Sequence, residues 1–195
     1  MMDGFVADEV GRKHTYNGVP VPSVTQIIEI LKDFSKINPE DLRIAQEYGT
    51  IGHNYLYLYD KGTLRMETVD PKMLPAIENW KEMKAARGWT IPILSEKRYY
   101  SKRYRYTGRL DGLYKSEDLY TLLDFKFGDD EYTDLQTAAN LNLVRENYAM
   151  IKAERLMVHF DINGKIRSES FPMSDFKADF NDFLCCARVF QLKKR

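Results

Sequence analysis

Cysteine is almost missing from this 195-residue chain: Cys185 and Cys186 are the only two, and they are neighbours. Adjacent cysteines rarely close a structural disulfide, and two thiolates cannot complete a four-sulfur zinc or iron–sulfur site. Within the aromatic-rich stretch Phe176–Phe190 they read as small core or half-buried residues. Eleven glycines and seven prolines are too few for a collagen-like or wholly disordered chain. No apolar run approaches the length of a membrane span, and the segment Met1–Lys13 lacks the apolar centre of a signal peptide. The expected setting is therefore cytoplasmic. An excess of either charge is missing too, because 29 Lys and Arg balance 29 Asp and Glu. That excludes a uniformly basic coat for non-specific nucleic-acid binding but leaves room for a local basic patch.

What is present suits one domain over residues 1–195, since 44% hydrophobic residues suffice for a core and no repeat or linker divides the chain. Asn17-Gly18 between short β-favouring runs predicts a hairpin turn. Ser23 or Thr25 then caps a helix through Ile27, Ile28, Ile30 and Leu31. Pro39-Glu40-Asp41 opens a second helix running through Ile44, Tyr48, Ile51 and Tyr55 towards Tyr59, with Gly49 and Gly52 weakening its middle. A third helix fits Pro75–Arg87 and stops at Gly88. From residue 91 the texture turns to strands, over Ile91–Tyr100, Tyr104–Tyr114 and Leu119–Phe127. A helix over Thr133–Ala149 follows, then strands at Arg155–Ile162 and Lys165–Phe171 around Asn163-Gly164. A last amphipathic helix spans Ser174 to about Leu192, its Phe176, Phe180, Phe183 and Phe190 read as core. The sum is an α/β (α+β) domain: an N-terminal hairpin and helices over 1–90, then a sheet with flanking helices over 91–195.

Chemistry concentrates in Leu122-Leu-Asp-Phe-Lys-Phe127. Asp124 and Lys126 alternate with Leu123, Phe125 and Phe127, so both polar groups emerge on one face of a strand whose other face is apolar. Such a pair is costly to bury unless it is paired or used; its plain alternative is an exposed ion pair on an edge strand. Asp111, in Gly108-Arg-Leu-Asp-Gly112, lies one hairpin length upstream of Asp124, so adjacent strands can bring the two carboxylates to one cation. Alternatively, Asp111-Gly112 is only a turn dipeptide. Two carboxylates with water suit Mg²⁺ or Mn²⁺. His53, in Gly49-Thr-Ile-Gly-His53, is a third piece, and taken alone is an ordinary helix histidine. Glu96 and Gln136 are weaker still.

In order, Gly49-Thr50-x-x-His53, Glu96, Gly108-x-x-Asp111, Asp124-x-Lys126 and Gln136 resemble the PD-(D/E)xK nuclease superfamily, most closely its RecB-type exonuclease branch with small phage members. Tyr106-Thr-Gly-Arg-Leu-Asp-Gly-Leu113 and Leu122-Leu-Asp-Phe-Lys-Phe-Gly128 are the most specific parts, and the segment Val21-Pro-Ser-Val-Thr-Gln-Ile-Ile28 resembles the entry of phage-type members. The resemblance spans about residues 16–150. It implies a restriction-endonuclease-like core, a central mixed sheet flanked by helices, and a metal-dependent deoxyribonuclease, most simply an exonuclease acting on DNA ends or single strands in recombination, repair or processing. It further implies that Asp111, Asp124 and the Phe125 carbonyl hold one or two Mg²⁺ or Mn²⁺ ions, with His53 as a further ligand. Glu96 would bind a second ion or brace the first strand. Lys126 would orient or deprotonate the attacking water, and Gln136 would position Lys126 or contact DNA. Asn140 stands where the family often has Tyr, which bears on the DNA contact, and the cysteines of the iron–sulfur relatives are missing.

Elementary electrostatics adds two expectations: crowded acids should have raised pKa values without the ion, and Lys126 beside an ion should move towards its neutral form. The run Lys97-Arg-Tyr-Tyr-Ser-Lys-Arg-Tyr-Arg-Tyr106 interleaves cations and aromatics. Lys97, Arg98, Lys102, Arg103 and Arg105 are expected on phosphates and Tyr99, Tyr100 or Tyr104 on bases. The other reading is a hairpin with half-buried tyrosines and solvated cations. Lys193-Lys-Arg195 reads as a solvated tail. The expected partner is DNA, with a recombination or replication protein as a further one and no membrane, in a bacterial or phage-infected cell. Competing functions are a structure-specific or restriction-like endonuclease on the same fold, or a silent nucleic-acid-binding protein.

Overall fold

The computed structural model describes residues 4–8, 13–128, 130–148 and 152–193. Parts of three sequence expectations lie outside them: the N-terminal residues 1–3 and 9–12, Ala149 at the end of a predicted helix, and residues 194–195 of the basic tail. Among the described residues, a small antiparallel sheet comes first, with β1 (Phe5–Asp8), β2 (Lys13–Tyr16) and β3 (Val19–Val21) in that order. The helices are α1 (Val24–Ile28), α2 (Pro39–Asp60), α3 (Leu74–Arg87), α4 (Thr133–Asn147) and α5 (Phe176–Lys193). The main sheet has the order β4 (Leu94–Ser101), β5 (Tyr106–Ser116), β6 (Leu119–Phe127), β7 (Lys152–Phe160), β8 (Ile166–Phe171). Among the described strands of the main sheet, β6 and β7 alone pair in parallel, and α4 supplies the crossover that a parallel pair requires. The result is the expected mixed sheet flanked by helices.

Local chemistry explains most boundaries. Asn17 and Gly18 both take positive φ, 50° and 78°, as a tight β2–β3 turn demands. Ser23 and Gln26 form a reciprocal capping box at the start of α1, which ends early and continues as a 3₁₀ turn over Glu29–Leu31. Asn38 caps α2 and Pro39 occupies its first turn. Gly88 ends α3 in the left-handed conformation.

Two cores hold the layers together. On one face of the main sheet, Tyr106, Leu110 and Leu122 pack with Ile27 of α1, Leu141 of α4 and Phe183 of α5. On the other, Leu123, Phe125, Val158 and Phe160 pack with Leu56 of α2 and Trp80 of α3. Cys186 joins the first core while Cys185 is exposed. A buried polar knot ties α2, α3 and β5: Asp60 accepts hydrogen bonds from Trp80 Nε1 (3.2 Å), Lys84 Nζ (2.6 Å) and the Tyr114 hydroxyl. No helix among the described residues is long and apolar enough to cross a membrane.

Candidate active site

The main sheet divides where its acids lie. Pairing of β5 with β6 runs from Ser116↔Leu119 to Gly112↔Leu123 and stops. The next two residues in that register are Asp111 and Asp124. Beyond this point the Phe125 N–H donates to Asp111 Oδ2 at 2.8 Å, so a side chain takes the place of a ladder partner. The β4–β5 ladder is interrupted opposite the same residue: Ser95↔Gly112 and Lys97↔Leu110 pair, while Glu96 between them has φ 49°. A left-handed backbone costs a residue with a side chain about 1–2 kcal/mol. Here it accompanies a carboxylate turned in beside Asp111.

Helix α2 brings the third group. Gly52 lies so close to β6 that a Cβ there would sit 2.4 Å from the Phe127 ring. The glycine that weakens the helix in isolation is what lets it seat on the sheet. Its neighbour His53 rests against the Phe125 and Phe127 rings, with Nδ1 at 3.5 Å from Asp111 Oδ1 and 4.0 Å from Glu96 Oε1. One ligand atom each from His53, Glu96 and Asp111 lies within 4.8 Å of the others. His53 Nδ1 is buried and makes no hydrogen bond, an ion-pair distance from Asp111 notwithstanding. Two carboxylates and an imidazole with an uncommitted nitrogen form a donor set that fits a divalent cation. Burial works against a charged His53, but Asp111 and Glu96 outweigh it and raise its pKa. For Asp111, burial is likewise outweighed, by His53, the Phe125 N–H and Lys126, and its pKa falls below the ordinary carboxylate range.

Asp124 and Lys126 form an adjoining cluster with Gln136 of α4. Gln136 donates through Nε2 to Asp124 Oδ1 (2.5 Å) and accepts at Oε1 from Lys126 Nζ (2.9 Å). Lys126 Nζ also lies 2.9 Å from Asp124 Oδ2 and 2.7 Å from Asp130 Oδ2, and Asp130 pairs in turn with Lys32. Asp124 is 2% exposed, and burial pushes its carboxyl up to about 6 despite the counteracting Lys126. Burial disfavours the charged lysine as well, yet Asp124 and Asp130 prevail and raise its pKa. This corrects one expectation in part: the acids divide, Asp124 going up and Asp111 down, because His53 is a leading influence on Asp111 and only a minor one on Asp124. Asp124 and Asp130 face Lys126 and favour its charged form.

The expected site residues thus fall into two touching groups: His53, Glu96 and Asp111, and Asp124, Lys126 and Gln136. Asp124 is oriented by Lys126 and Gln136, and among the described residues the three-donor group forms without it. A groove passes this point. A space of about 400 Å³ extends towards Ser23, Gln26 and Asn140, and one of about 640 Å³ extends along Gln46, Asn54 and Tyr57 of α2. Thr50, His53, Arg109 and Lys126 line both. Asn140 is 4% exposed, with an Oδ1 that makes no hydrogen bond; a Cβ on Gly108 would come within 2.4 Å of it.

The basic hairpin behaves differently from the expectation of base stacking. Tyr99 and Tyr100 are buried, and Tyr100 stacks between Tyr16 (4.6 Å) and Phe5 (5.5 Å) of the small sheet. Half-buried Tyr104 meets the Phe180 ring edge-on. Packing against β1–β3 and α5, which nothing local in the sequence announces, consumes these rings. Lys97, Lys102, Arg103 and Arg105 are exposed. Arg98 lies opposite Arg109 across β4–β5, and both line the groove. Sequence reasoning missed Arg109, Asp130 and Lys32. Arg109 carried a signal, alternating with Asp111 on one strand; its Nε lies 2.9 Å from Glu96 Oε2. Asp130 and Lys32 are 98 residues apart, and no local pattern joins them.

No family model and no curated protein sequence matches the chain. Among solved structures, it is similar to a protein from Eubacterium rectale named "Putative exonuclease", with a TM-score of 0.57 and 11% identity over 88% of this chain and 80% of that one. At that identity the likeness is one of fold. A second structure, named SSO0001, overlaps 57% of each chain at 10% identity and a TM-score of 0.34, too low to carry an argument.

Proposed function

We propose that this protein is a metal-dependent deoxyribonuclease of the PD-(D/E)xK type, related to the RecB-type exonucleases and acting on DNA ends or single strands. The observation that carries the reading is the convergence of His53, Glu96 and Asp111 beside the Asp124–Lys126–Gln136 cluster. Shared fold with a protein named as an exonuclease supports it. His53, Glu96 and Asp111 would hold Mg²⁺ or Mn²⁺, and Asp124, one step along the split sheet, is the fourth candidate ligand. When bound, such an ion supplies a Lewis acid for the phosphate and lowers the pKa of a water.

The chain's own groups do the rest. Lys126 presents an ammonium to the groove, where negative charge develops on a phosphoryl oxygen. Gln136 holds Asp124 and Lys126 in one orientation through its two ends. Arg98 and Arg109 offer fixed positive charge to flanking phosphates. Because the groove continues on both sides of the donor triad, a strand running past the site without an end is a second reading, that of an endonuclease.

The test is cleavage of end-labelled single- and double-stranded linear DNA beside closed circles, with Mn²⁺, Mg²⁺ or EDTA. Loss of linear DNA alone, dependent on metal and reduced at least a hundredfold in Lys126→Ala, is the expected result. Nicked or linearised circles select the endonuclease. DNA bound without cleavage under either metal sinks the enzyme.

A further inference from the structure

Lys126 has more partners than its pairing with Asp124 requires. Its ammonium meets Gln136 Oε1 at 2.9 Å, Asp124 Oδ2 at 2.9 Å and Asp130 Oδ2 at 2.7 Å. Both carboxylates hold the ammonium as ion pairs, while Gln136 accepts a hydrogen bond from it. The Asp130 contact is the shortest of the three, and the other oxygen of Asp130 is fixed by Lys32, which follows the 3₁₀ turn after α1. Asp130 lines the groove on both sides of Lys126, yet it lies outside the three-donor group. A carboxylate placed beside a buried acid normally adds repulsion. With a lysine on each of its oxygens, this one is neutralised and can serve as a support.

Resting on the nuclease reading above, we propose that Asp130, braced by Lys32, is a positioning residue that anchors Lys126 independently of Asp124. To give its carboxylate to a cation at the neighbouring donors, Asp124 must share or loosen its hold on Lys126, because Gln136 and Lys126 already engage its two oxygens. With Asp130 and Gln136 holding the ammonium, Asp124 can turn away and Lys126 stays at the groove wall. Asp130 touches no reacting atom in this scheme.

The test combines a spectroscopic and a kinetic readout. In ¹⁵N-lysine-labelled full-length protein, the side-chain amine resonance of Lys126 is assigned by its loss in Lys126→Arg. Its hydrogen exchange is then measured without metal and with Mg²⁺. Asp124→Asn should leave that resonance protected, whereas Asp130→Asn should speed its exchange at least tenfold. In DNA cleavage Asp130→Asn should lower kcat at least tenfold with KM for DNA within twofold, and Asp130→Glu should recover part of the loss. Lys32→Gln, which leaves Asp130 in place, should shift both readouts in the same direction by less, and covers the case in which Asp130→Asn does not fold. Unchanged exchange in Asp130→Asn, or an unchanged kcat, overturns the proposal while leaving the nuclease reading intact. If wild type cleaves no DNA but the exchange contrast holds, the anchoring stands and the nuclease reading falls.

Discussion

The two aspartates shift in opposite directions because their immediate neighbours differ. Asp111 has His53 and a backbone N–H beside it, whereas Asp124 is buried with its amine partner shared with Asp130. A carboxyl raised to about 6 when folded binds its proton more tightly there than in the unfolded chain. Its contribution to stability is therefore present below the unfolded value, near 4, and is lost as pH rises through about 6. In EDTA, the stability of Asp124→Asn relative to wild type should rise between pH 5 and pH 7, by the order of 1–3 kcal/mol. Denaturant melts at both pH values measure it, and a difference that does not move with pH contradicts this account. Local alternation was enough to put Asp124 and Lys126 on one face. The charge of Lys126 rests on Asp124 and on Asp130 four residues on, and what was not legible is the hold of Lys32 on Asp130 from 98 residues away.

Helix α2 depends on a contact that its own periodicity hides. Ile44 and Ile51, through which the predicted helix runs, are about half exposed, while Gly52, Leu56 and Asp60 face inward. The helix turns its small residue to the sheet because the Phe127 ring occupies the space a side chain would need. Gly52→Ala should cost about 1–3 kcal/mol through overpacking. It should also weaken divalent-ion binding, because His53 is the next residue; thermal melts with and without Mn²⁺ separate the two effects. At the other end of α2, Asp60→Ala leaves Lys84 buried without its counter-ion and should cost about 3–5 kcal/mol. A loss under 1 kcal/mol in denaturant melts would mean that the knot is dispensable.

Across the whole molecule, the site exists only where three units meet: α2 on one side, the divided β4–β5–β6 sheet, and α4 on the other. Each contributes one part, His53, the acids with Lys126, and Gln136. A cation binding the assembled donors and not the unfolded chain stabilises the fold by about 2.7 kcal/mol at a hundredfold excess over its Kd. Saturating Mn²⁺ should therefore raise the Tm by several degrees, reversed by EDTA and lost in Asp111→Asn. No shift in wild type would leave the donor triad without its proposed occupant. The sequence by itself determined the elements after β1 and their order, because hairpin turns, caps and strand alternation act over a few residues. It also nominated both aspartates, Lys126, His53, Glu96 and Gln136. Only the tertiary structure decided that His53, Glu96 and Asp111 converge while Asp124 turns to Lys126, and that Tyr99 and Tyr100 are buried. Those outcomes follow from long-range packing and from the balance of burial against neighbouring charge, neither of which a linear pattern contains.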